Sequence, residues 1–538
     1  MISAMSSGSG KTVITTAFLL AMKRRGLNLI SFKCGPDYID PMYHTRVLGI
    51  PCRNLDLFLM GRKKVAEELS GDRMPAVSAD RASADDESND FGDRNHAEGI
   101  SCDLAVIEGA MGFYDGIGGT ARASAYEIAS QTTTPVILVV RSKGQSATLA
   151  AQLLGMMKFR EKNCLAGVIF TECTEGLYAH LKPIVERETG LSVFGYLPKM
   201  EEAAIESRHL GLVTAEEIAE FEDRFAKVAD QLEKTVDLDG VLRIAEEFQA
   251  ASSEKSAASA RYQSERQIRA AFSERSAVSA SSQVDAQFQS AATEESTVPA
   301  KTSGTKVKSE PVRIAVARDE AFCFYYESSF EALRRAGAEL VWFSPVREDH
   351  FPENVHGLYL GGGYPERYAS ALSENENILT AIRSARFDGM PIVAECGGFL
   401  YLLENLEGED GKVYPMAGVL PGDGFRTKGL RRFGYVELRE DTDSLLFKAG
   451  EWVPAHSFHH WDATDPGSGL FVRKAGDVIR EGESFVRTWR ECVVDESLYA
   501  GFPHLALDGE LPLAERFVES CRTYRGKNLR SVTITENR

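Results

Sequence analysis

Residues 6–12 read SSGSGKT and open a helical pattern that runs to Arg25. Small residues allow successive backbone N–H groups to face phosphate oxygens, and the helix N-terminus adds partial positive charge. In such a loop Lys11 reaches the β- and γ-phosphates of a nucleotide, and the Thr12 hydroxyl ligates Mg²⁺. The stretch predicts a P-loop in an α/β domain, with nucleotide-binding residues Gly8, Ser9, Gly10, Lys11 and Thr12.

The P-loop match has two irregularities. Met5 stands where the pattern has its first glycine, and only Met1–Ala4 precede the loop where a buried strand is expected. Either that strand is very short or the natural chain begins upstream. The alternative interpretation is a Gly/Ser-rich tail with an incidental Gly-Lys-Thr.

Outward from this loop, short apolar runs alternate with helical patterns. Continuous apolar strands between helices indicate a parallel sheet that is covered on both faces. The predicted strands are residues 29–33, 103–108, 135–140 and 166–170. The predicted helices are residues 12–25, 147–160 and 178–189.

The second half of the chain repeats the α/β pattern. Strand-like runs and one clear helix predict another doubly wound sheet, and a Gly-rich, more irregular part follows it. The strands are residues 312–317, 339–343, 357–360 and 391–394, and the helix is residues 326–336.

Composition divides the chain. Residues 251–300 contain 12 Ala and 12 Ser but no Gly, Leu, Trp, Cys or His. Such a segment buries too little apolar surface to offset chain entropy, so residues 246–310 are predicted to be a flexible linker, with a transient Ala-rich helix as the alternative. Residues 71–100 are acidic and poor in large apolar side chains, which predicts a surface insertion.

Length, charge, apolar runs and cysteine pattern narrow the class of protein. The 538 residues allow two to four domains. The formal charge of −18, from 61 basic and 79 acidic residues, disfavours binding to nucleic acid or an anionic membrane. No apolar run has the length of a membrane span, and no secretory signal precedes the P-loop. Nine cysteines without a C-x-x-C pair predict a reduced, cytoplasmic enzyme.

Acidic residues follow several predicted strands. In open parallel sheets, ligands bind beyond the carboxyl ends of the strands, so these side chains are candidates for one site, although Asp is also common in ordinary turns. Glu108 ends the strand DLAVIE, where a Walker-B-type acid orients Mg²⁺. The candidates are Asp37, Asp40, Asp56, Glu108 and Asp115.

Residues 391–398 (PIVAECGG) place one cysteine between an apolar strand and a helical pattern. A nucleophile at such a turn is held exposed, and the helix N-terminus favours its thiolate. Gly362 and Gly363 follow another strand, and their N–H groups are candidates for an oxyanion hole. The alternative for Cys396 is a buried core residue.

A nucleophilic cysteine needs a base, and the C-terminal candidates are His456, His459, His460 and His504. No nearby thiol or carboxylate pattern completes a zinc site around the first three. A basic run, comprising Arg426, Lys428, Arg431 and Arg432, is a candidate for contacts with an anionic substrate; a solvated face is the alternative.

The motifs together resemble one known family. In chain order they are GSGKT, FKCGPDYIDPMYH, RNLDLF, DLAVIEGAMGFYDG, ESRHLGLVTAEE, LYLGGGYPE, AECGGFLYL and AHSFHHWD. They resemble the cobyrinate a,c-diamide synthases, glutamine-dependent amidotransferases of corrin synthesis. The resemblance covers nearly all of residues 1–245 and 311–525. The blocks GPDYIDP and EGAMGFYDG are its most specific parts, because GGGYPE and AECGG alone indicate only a class I-like glutamine amidotransferase.

The resemblance implies a dethiobiotin-synthetase-like ATP-binding domain at residues 1–245 and a class I-like glutamine amidotransferase domain at residues 311–530. It implies that Cys396 is the nucleophile and His504 its activating base. The implied Mg²⁺ ligands are Thr12, Glu108 and, more weakly, Asp56. The residues implied in substrate handling and catalysis are Asp37, Tyr38, Asp40 and Asp115.

Two motifs depart from the family pattern. The usual H-L-H-F is here His504-Leu-Ala506-Leu, and the usual G-H-E-F-H-Y is residues 455–460, AHSFHH. These departures leave the activating histidine and the substrate contacts to be placed by the structure.

The implied function is ATP-dependent amidation of the a- and c-side-chain carboxylates of cobyrinate, with glutamine as nitrogen donor and Mg²⁺ as cofactor. The implied partners are cobyrinate, glutamine and ATP, without nucleic acid or membrane; a homodimer stays open. Rival substrates are hydrogenobyrinate and nickel sirohydrochlorin, and cobyric acid synthase fits the motifs less well. A rival of another class is a P-loop switch ATPase with a vestigial glutaminase domain.

Overall fold

A computed structural model describes residues 1–70, 102–203, 215–249, 311–476, 479–480, 483–484 and 487–536. The predicted insertion at 71–100 and most of the predicted linker lie outside the described residues. The chain divides into two compact units. The first joins Met1–Leu238 to Pro311–Arg538, and the second is Asp239–Glu310, of which residues 239–249 are helical.

Within the described residues, the N-terminal half of the first unit contains a seven-stranded parallel sheet. Its strand order is β3-β2-β4-β1-β5-β6-β7. Strands β1–β7 are Ile2–Ala4, Leu29–Cys34, Cys52–Leu55, Leu104–Glu108, Val136–Arg141, Leu165–Thr171 and Ser192–Leu197. The middle strands are almost entirely buried, as expected for a sheet that is covered on both faces.

A short strand, β1, precedes the P-loop. It is only three residues long, yet it is fully buried and pairs in parallel with both β4 and β5. The strand order changes direction around β1, and such a switch point opens a crevice at the carboxyl edge of the sheet. The P-loop therefore begins at the centre of the sheet.

The helices of this half lie close to their predicted positions. Helix α6 begins earlier than predicted because the Thr174 hydroxyl caps its first turn by accepting from the N–H of Leu177. Helices α1–α7 are Lys11–Arg24, Ile39–Arg46, Gly61–Leu69, Ala125–Thr132, Ala147–Phe159, Glu175–Thr189 and Ala215–Thr235.

In the described C-terminal half, a second sheet of six strands has the order β10-β8-β11-β13-β23-β22. Its first five strands are parallel, and β22 is antiparallel at the edge. Strands β8–β15 are Val312–Ala317, Phe322–Phe324, Ala338–Phe343, Gly357–Leu360, Gly362–Gly363, Ile392–Glu395, Asn405–Glu407 and Val413–Pro415. Strands β16–β24 are Asp423–Arg439, Trp452–Ala463, Leu470–Lys474, Ile479–Arg480, Glu483–Ser484, Thr488–Glu491, Val493–Val494, Leu498–Gly501 and His504–Leu505.

The prediction of an irregular C-terminal part is wrong. The described residues there form a largely antiparallel sheet, in which β14–β18, β21 and β24 take part. Strand β16 is mostly exposed and rich in Arg, Lys and Gly, so it lacks the apolar periodicity by which a strand is recognised from sequence. Its pairing with the better-buried β17 makes it a strand.

Five further helices complete the described C-terminal half. Helices α8–α12 are Glu327–Arg335, Ala369–Glu374, Glu376–Phe387, Gly397–Leu402 and Leu513–Glu536. Among the described residues, no helix combines the length and the apolarity that crossing a membrane requires.

Charged side chains join the two halves of the first unit. The buried Arg53 guanidinium on β3 pairs with Glu68 at 2.8 Å and also with Glu331 of α8. Lys64 on α3 reaches the buried Asp508 at 3.2 Å. Arg53 and Lys64 lie in the N-terminal half, and their partners Glu331 and Asp508 lie in the C-terminal half. These two pairs therefore hold β3 and α3 against α8 and the chain that follows β24.

Candidate active site

The loop before α1 has the form of a phosphate cradle. Gly8 and Gly10 have φ of +75° and +88°, a left-handed backbone that favours glycine. The Ser9 hydroxyl donates to the Ser6 carbonyl at 2.9 Å, and Thr171 donates to the Ser9 carbonyl at 2.8 Å. The loop is thus fixed at the N-terminus of a 14-residue helix, where backbone N–H groups favour an anion.

The side chains after this loop turn toward the end of β4. The Thr12 hydroxyl donates to Glu108 Oε1 at 2.7 Å, and the Lys11 ammonium donates to the Met111 carbonyl at 3.2 Å. Burial, and next the charge of Lys33, lower the pKa of Lys11. A buried ammonium group attracts phosphate strongly, which suits the predicted role of Lys11.

Lys33 joins three of the predicted carboxylates. Its ammonium lies 3.0 Å from Glu108 Oε1 and 3.6 Å from Asp37 Oδ2, and it forms a closer ion pair with Asp40. Lys33 stands near the end of β2, which is the neighbour of β4 in the sheet. The structure therefore brings together three of the five acidic candidates.

The protonation of this cluster reflects burial. Glu108 is completely buried, and desolvation raises the pKa of its carboxyl. Burial and then the charge of Asp40 raise the pKa of Asp37 to about 6. Burial lowers the pKa of His44, 3.6 Å from Glu108, to about 4. The nearby His44 is therefore neutral at pH 7, and Lys33 is the main compensating cation.

Two predicted acidic residues lie apart from this cluster. Asp56 is buried, but its Oδ1 accepts from the N–H groups of Phe58 and Leu59, and its Oδ2 accepts from the Tyr435 hydroxyl at 2.6 Å. These bonds assign Asp56 to loop folding and domain contact. Asp115 is exposed, and its carboxylate accepts from the N–H of Gly112.

In the C-terminal half, Cys396 occupies a strained turn. It links β13 to α11 with φ +50° and ψ −99°, a conformation that is costly for a residue other than glycine. Its backbone N–H donates to the Gly501 carbonyl at 2.7 Å, which holds the turn in place. This geometry is that of a nucleophile elbow at the carboxyl end of a buried strand.

The side chains of His504 and Glu395 lie near Cys396. Both side chains are about 1% exposed, and His504 Nδ1 lies 3.7 Å from Glu395 Oε2. Glu395 also accepts from the Leu505 N–H at 2.9 Å and from the Tyr359 hydroxyl at 3.1 Å. Burial alone lowers the pKa of His504, but its interactions with Cys396 and Glu395 outweigh burial and raise that pKa to about 9.

The glycines near Cys396 leave no room for side chains. A Cβ on Gly362 would lie 2.4 Å from His504 Cε1, and one on Gly397 would lie 3.1 Å from the backbone nitrogen of Gly363. Close backbone approach of this kind is what an oxyanion hole requires. The geometry adds Gly397, the residue after the nucleophile, to the predicted pair Gly362 and Gly363.

A cavity of about 520 Å³ opens above Cys396. The carboxyl groups of Glu366 and Glu409 line it, together with the positively charged Arg426 and Lys428. Burial, and next the charge of Glu409, raise the pKa of Glu366 to about 7. Charges of both signs around a thiol suit a zwitterionic amino acid.

The structure divides the basic run. Arg426 and Lys428 face the cavity, whereas Arg432 pairs with Asp462 at 2.5 Å and with the buried Glu491 at 3.0 Å. Arg431 pairs in register with His459 on β17. The run is therefore neither one solvated face nor one anion site.

The C-terminal histidines also take separate places. His456 and His459 are buried, and desolvation lowers their pKa values to about 3 and about 4. The His459 ring stacks on Phe502 at 3.9 Å, and His460 lines the cavity. No group of three or more His, Cys, Asp or Glu in the described part of the chain is arranged to hold a metal ion.

Sequence reasoning missed Lys33 and Glu395. Both stand at the carboxyl ends of buried strands, directly before the motifs that drew attention, in FKCGPD and AECGG. A charged residue within an otherwise apolar strand is costly unless it is paired. A charged residue in each of these apolar strands was therefore a sequence signal of a functional role.

Family models match both halves. The model described as CobQ/CobB/MinD/ParA nucleotide binding domain matches residues 1–213, and the CobB/CobQ-like glutamine amidotransferase domain matches residues 313–511. A cobyrinate a,c-diamide synthase from Caldanaerobacter subterraneus subsp. tengcongensis is 32% identical over 98% of this chain and 99% of its own. The chain belongs to the cobyrinate a,c-diamide synthase family.

Other members of this family are equally similar. The synthase of Listeria innocua is 34% identical over 94% of this chain and 95% of its own. Among solved structures, PurLQS from Thermotoga maritima covers 40% of this chain and 99% of its own, with 18% identity and a TM-score of 0.28, too low to support an argument. The family motif ESRHLGLVTAEE lies mostly outside the described residues.

Family membership confirms the predicted fold class. A nucleotide-binding domain with a parallel sheet is followed by a glutamine amidotransferase domain of mixed α/β structure. The roles of individual residues stay predictions.

Proposed function

We propose that this protein amidates the a- and c-side-chain carboxylates of cobyrinate, with ATP as phosphoryl donor and glutamine as nitrogen donor. The observation that carries the proposal is the presence, in one compact unit, of a phosphate cradle and of Cys396, His504 and Glu395 close together. The names of its relatives supply the substrate.

Glutamine is the first substrate to be cleaved. His504 takes the thiol proton, Cys396 Sγ attacks the side-chain amide carbon, and the N–H groups of Gly363 and Gly397 stabilise the resulting oxyanion. His504 gives its proton to the departing nitrogen as the C–N bond breaks, which leaves a γ-glutamyl thioester and ammonia. His504 then takes a proton from the water that hydrolyses the thioester to glutamate. Glu395 keeps the imidazole oriented throughout.

The corrin carboxylate is activated at the other centre. A carboxylate cannot lose oxide to ammonia at pH 7, so ATP first transfers its γ-phosphoryl group to the carboxylate oxygen. Lys11 and the N–H groups of residues 8–12 stabilise the charge that spreads over the transferred group. Ammonia then attacks the acyl carbon, and phosphate leaves with the electron pair of the broken C–O bond. A second round produces the diamide.

The residues at the P-loop fit Mg²⁺. The Thr12 hydroxyl and the Glu108 carboxylate are hard oxygen donors 2.7 Å apart, and Glu108 Oε2 is buried with no hydrogen-bond partner. We propose that Thr12 and Glu108 hold the ion, directly or through water, and that Asp56 does not. When bound, Mg²⁺ neutralises phosphate charge beside Lys11. Asp37 and Asp40 instead hold Lys33 in place.

The surroundings of the enzyme follow from the same proposal. All nine cysteines lie in described segments and are free thiols, which suits a cytoplasmic enzyme. The charge of −18 argues against nucleic acid or an anionic membrane as a partner. A homodimer stays a prediction, and sedimentation of the purified protein would measure it.

The rival interpretation as a switch ATPase requires a vestigial glutaminase domain. The strained Cys396, the buried pair of His504 and Glu395, and the open cavity above the thiol argue against decay. Strain of this kind is costly and persists where function needs it. Hydrolysis of glutamine by the purified protein separates the two interpretations.

A substrate panel tests the proposal. Cobyrinate, hydrogenobyrinate and nickel sirohydrochlorin are incubated separately with ATP, Mg²⁺ and glutamine, and the products are weighed by mass spectrometry. We expect cobyrinate to change twice by the mass difference between a hydroxyl and an amino group. Faster diamidation of another tetrapyrrole would reassign the substrate, and no amidation of any of them would refute the proposal.

A further inference from the structure

Tyr38 belongs to the nucleotide-binding domain, but its ring lies among rings of the amidotransferase domain. Its ring centroid is 5.2 Å from that of Phe324, 4.7 Å from that of Tyr326 and 5.0 Å from that of His504. The side chain is only 8% exposed. A residue that the family motif links to the first centre therefore contacts the base of the second.

The amidotransferase domain holds His504 on its other sides. Strand β24 pairs His504 with His456 of β17, and the next residue, Leu505, donates its N–H to Glu395. Gly362 lies so close that a Cβ there would be 2.4 Å from the imidazole. Tyr38 is the neighbour of the imidazole that comes from the other domain.

We propose that Tyr38 is a positioning residue for His504, so that the nucleotide-binding domain completes the glutaminase centre. The inference rests on the proposed glutaminase reaction and adds a residue to it. The ring restricts rotation of the imidazole and excludes water from its surface. A base that is packed in this way keeps its nitrogen aligned with the thiol, and misplacement by about 1 Å can cost about 100-fold in rate.

The loop that carries Tyr38 is held firmly on its own side. Asn54 donates to the Gly35 carbonyl at 2.9 Å and to the Asp37 carbonyl at 2.6 Å. Lys33 ties the adjacent Asp37 and Asp40 to Glu108. The same short loop thus borders the phosphate cradle with its carboxylates and the glutaminase centre with its ring.

Among the described residues, charged and titratable groups face His504 from several elements. They are Cys396 at the elbow, Glu395 on β13, His456 and His459 on β17, and the Tyr38 phenol. Loss of the Tyr38 ring admits water and loosens the contacts with Cys396 and Glu395. Relief of burial raises the pKa of His504, whereas weaker contacts with Cys396 and Glu395 lower it, so loss of the ring changes both influences on the imidazole.

The test uses full-length protein and measures glutamate formation without ATP or corrin. We expect Tyr38→Leu to lower the glutaminase kcat by about tenfold to 100-fold, with the KM for glutamine unchanged because the charged cavity is intact. The pH profile of its kcat changes, because both the burial of the imidazole and its contacts change. Tyr38→Phe keeps the ring, so its kcat stays within about twofold of wild type and its pH profile is restored.

Two further variants keep the result interpretable. Tyr43→Leu is the matched control, because Tyr43 is a buried tyrosine five residues along whose ring packs on Phe221 in its own domain. It should leave the glutaminase kcat and pH profile unchanged. If Tyr38→Leu fails to fold, Tyr326→Leu removes a support of the Tyr38 ring, and we expect a smaller fall in the same direction.

The proposal is overturned if folded Tyr38→Leu retains the wild-type glutaminase kcat and pH profile, or if Tyr43→Leu causes the same loss. It is also overturned if Tyr38→Leu impairs only ammonia-driven amidation, since Tyr38 would then act at the first centre alone. Wild-type glutaminase and amidation rates, measured in parallel, show whether the proposed function itself holds.

Discussion

The two catalytic centres of this protein are held together by different forces. At the P-loop, Lys33 compensates the buried charge of Glu108, Asp37 and Asp40. At the thiol, the strained backbone of Cys396 and the close approach of Gly362 fix the geometry before any ligand arrives. The geometry of a centre that is built on buried charges depends on the charged ligand that it binds. The geometry of a centre that is built on packing is already formed before its substrate binds.

The variant with the largest expected effect disables the thiol centre and leaves the P-loop centre intact. Cys396→Ser should lower glutamine-driven amidation by about 10³-fold or more, because the thiolate nucleophile is lost. Amidation driven by added ammonia should continue at the wild-type rate, because the P-loop centre is intact. Mass spectrometry of the corrin product measures both rates, and equal loss with the two nitrogen donors would contradict the division into two centres.

The converse variant removes a charge from the P-loop centre. Lys11→Ala should lower ATP-dependent amidation by about 10²- to 10³-fold with glutamine or ammonia, since phosphoryl charge loses a buried cation. Hydrolysis of glutamine without ATP should be unchanged. Lys23→Ala, near the other end of α1, is the matched control and should keep full activity. Loss of glutaminase activity in Lys11→Ala would show that the centres are not separate.

A third variant tests whether packing alone suffices at the thiol. Glu395→Gln keeps the shape of the side chain but removes its charge, and we expect the glutaminase kcat to fall by about 100-fold. The Glu395 carboxylate helps to raise the pKa of His504 to about 9. Without it that pKa falls, so the alkaline limb of the kcat profile should move to lower pH. An unchanged profile would leave Glu395 with a purely structural role.

The smallest expected effect comes from a hydrogen bond between the two domains. Tyr435→Phe removes the donor to the buried Asp56, which should lower the free energy of unfolding by about 1.5–3 kcal/mol, measured by urea denaturation. The Mg²⁺ dependence of amidation should not change, because we assign Asp56 to domain contact. Phe458→Ala, a truncation of an exposed ring on β17, is the stability control. A weakened response to Mg²⁺ in Tyr435→Phe would restore Asp56 as a metal ligand.

Much of the fold was predictable because its elements are locally encoded. The eight strands predicted from apolar runs each lie within a few residues of a described strand of the two parallel sheets. The ribbon of β16 and β17 was not predicted, because β16 is mostly exposed and rich in Arg, Lys and Gly, and its pairing with β17 makes it a strand. A strand that is rich in glycine and charged residues is hard to recognise from sequence, because these residues have a low intrinsic preference for strands.

The candidate site shows the same division between local and distant information. The sequence by itself determined the P-loop, the cysteine at its strand-to-helix turn and the presence of two α/β domains, since each depends on residues within a few positions of one another. Only the tertiary structure decided that Lys33 joins three carboxylates, that Asp56 faces Tyr435, and that Tyr38 packs against His504. Those contacts join residues up to several hundred positions apart, and strand order together with domain packing brings them within reach.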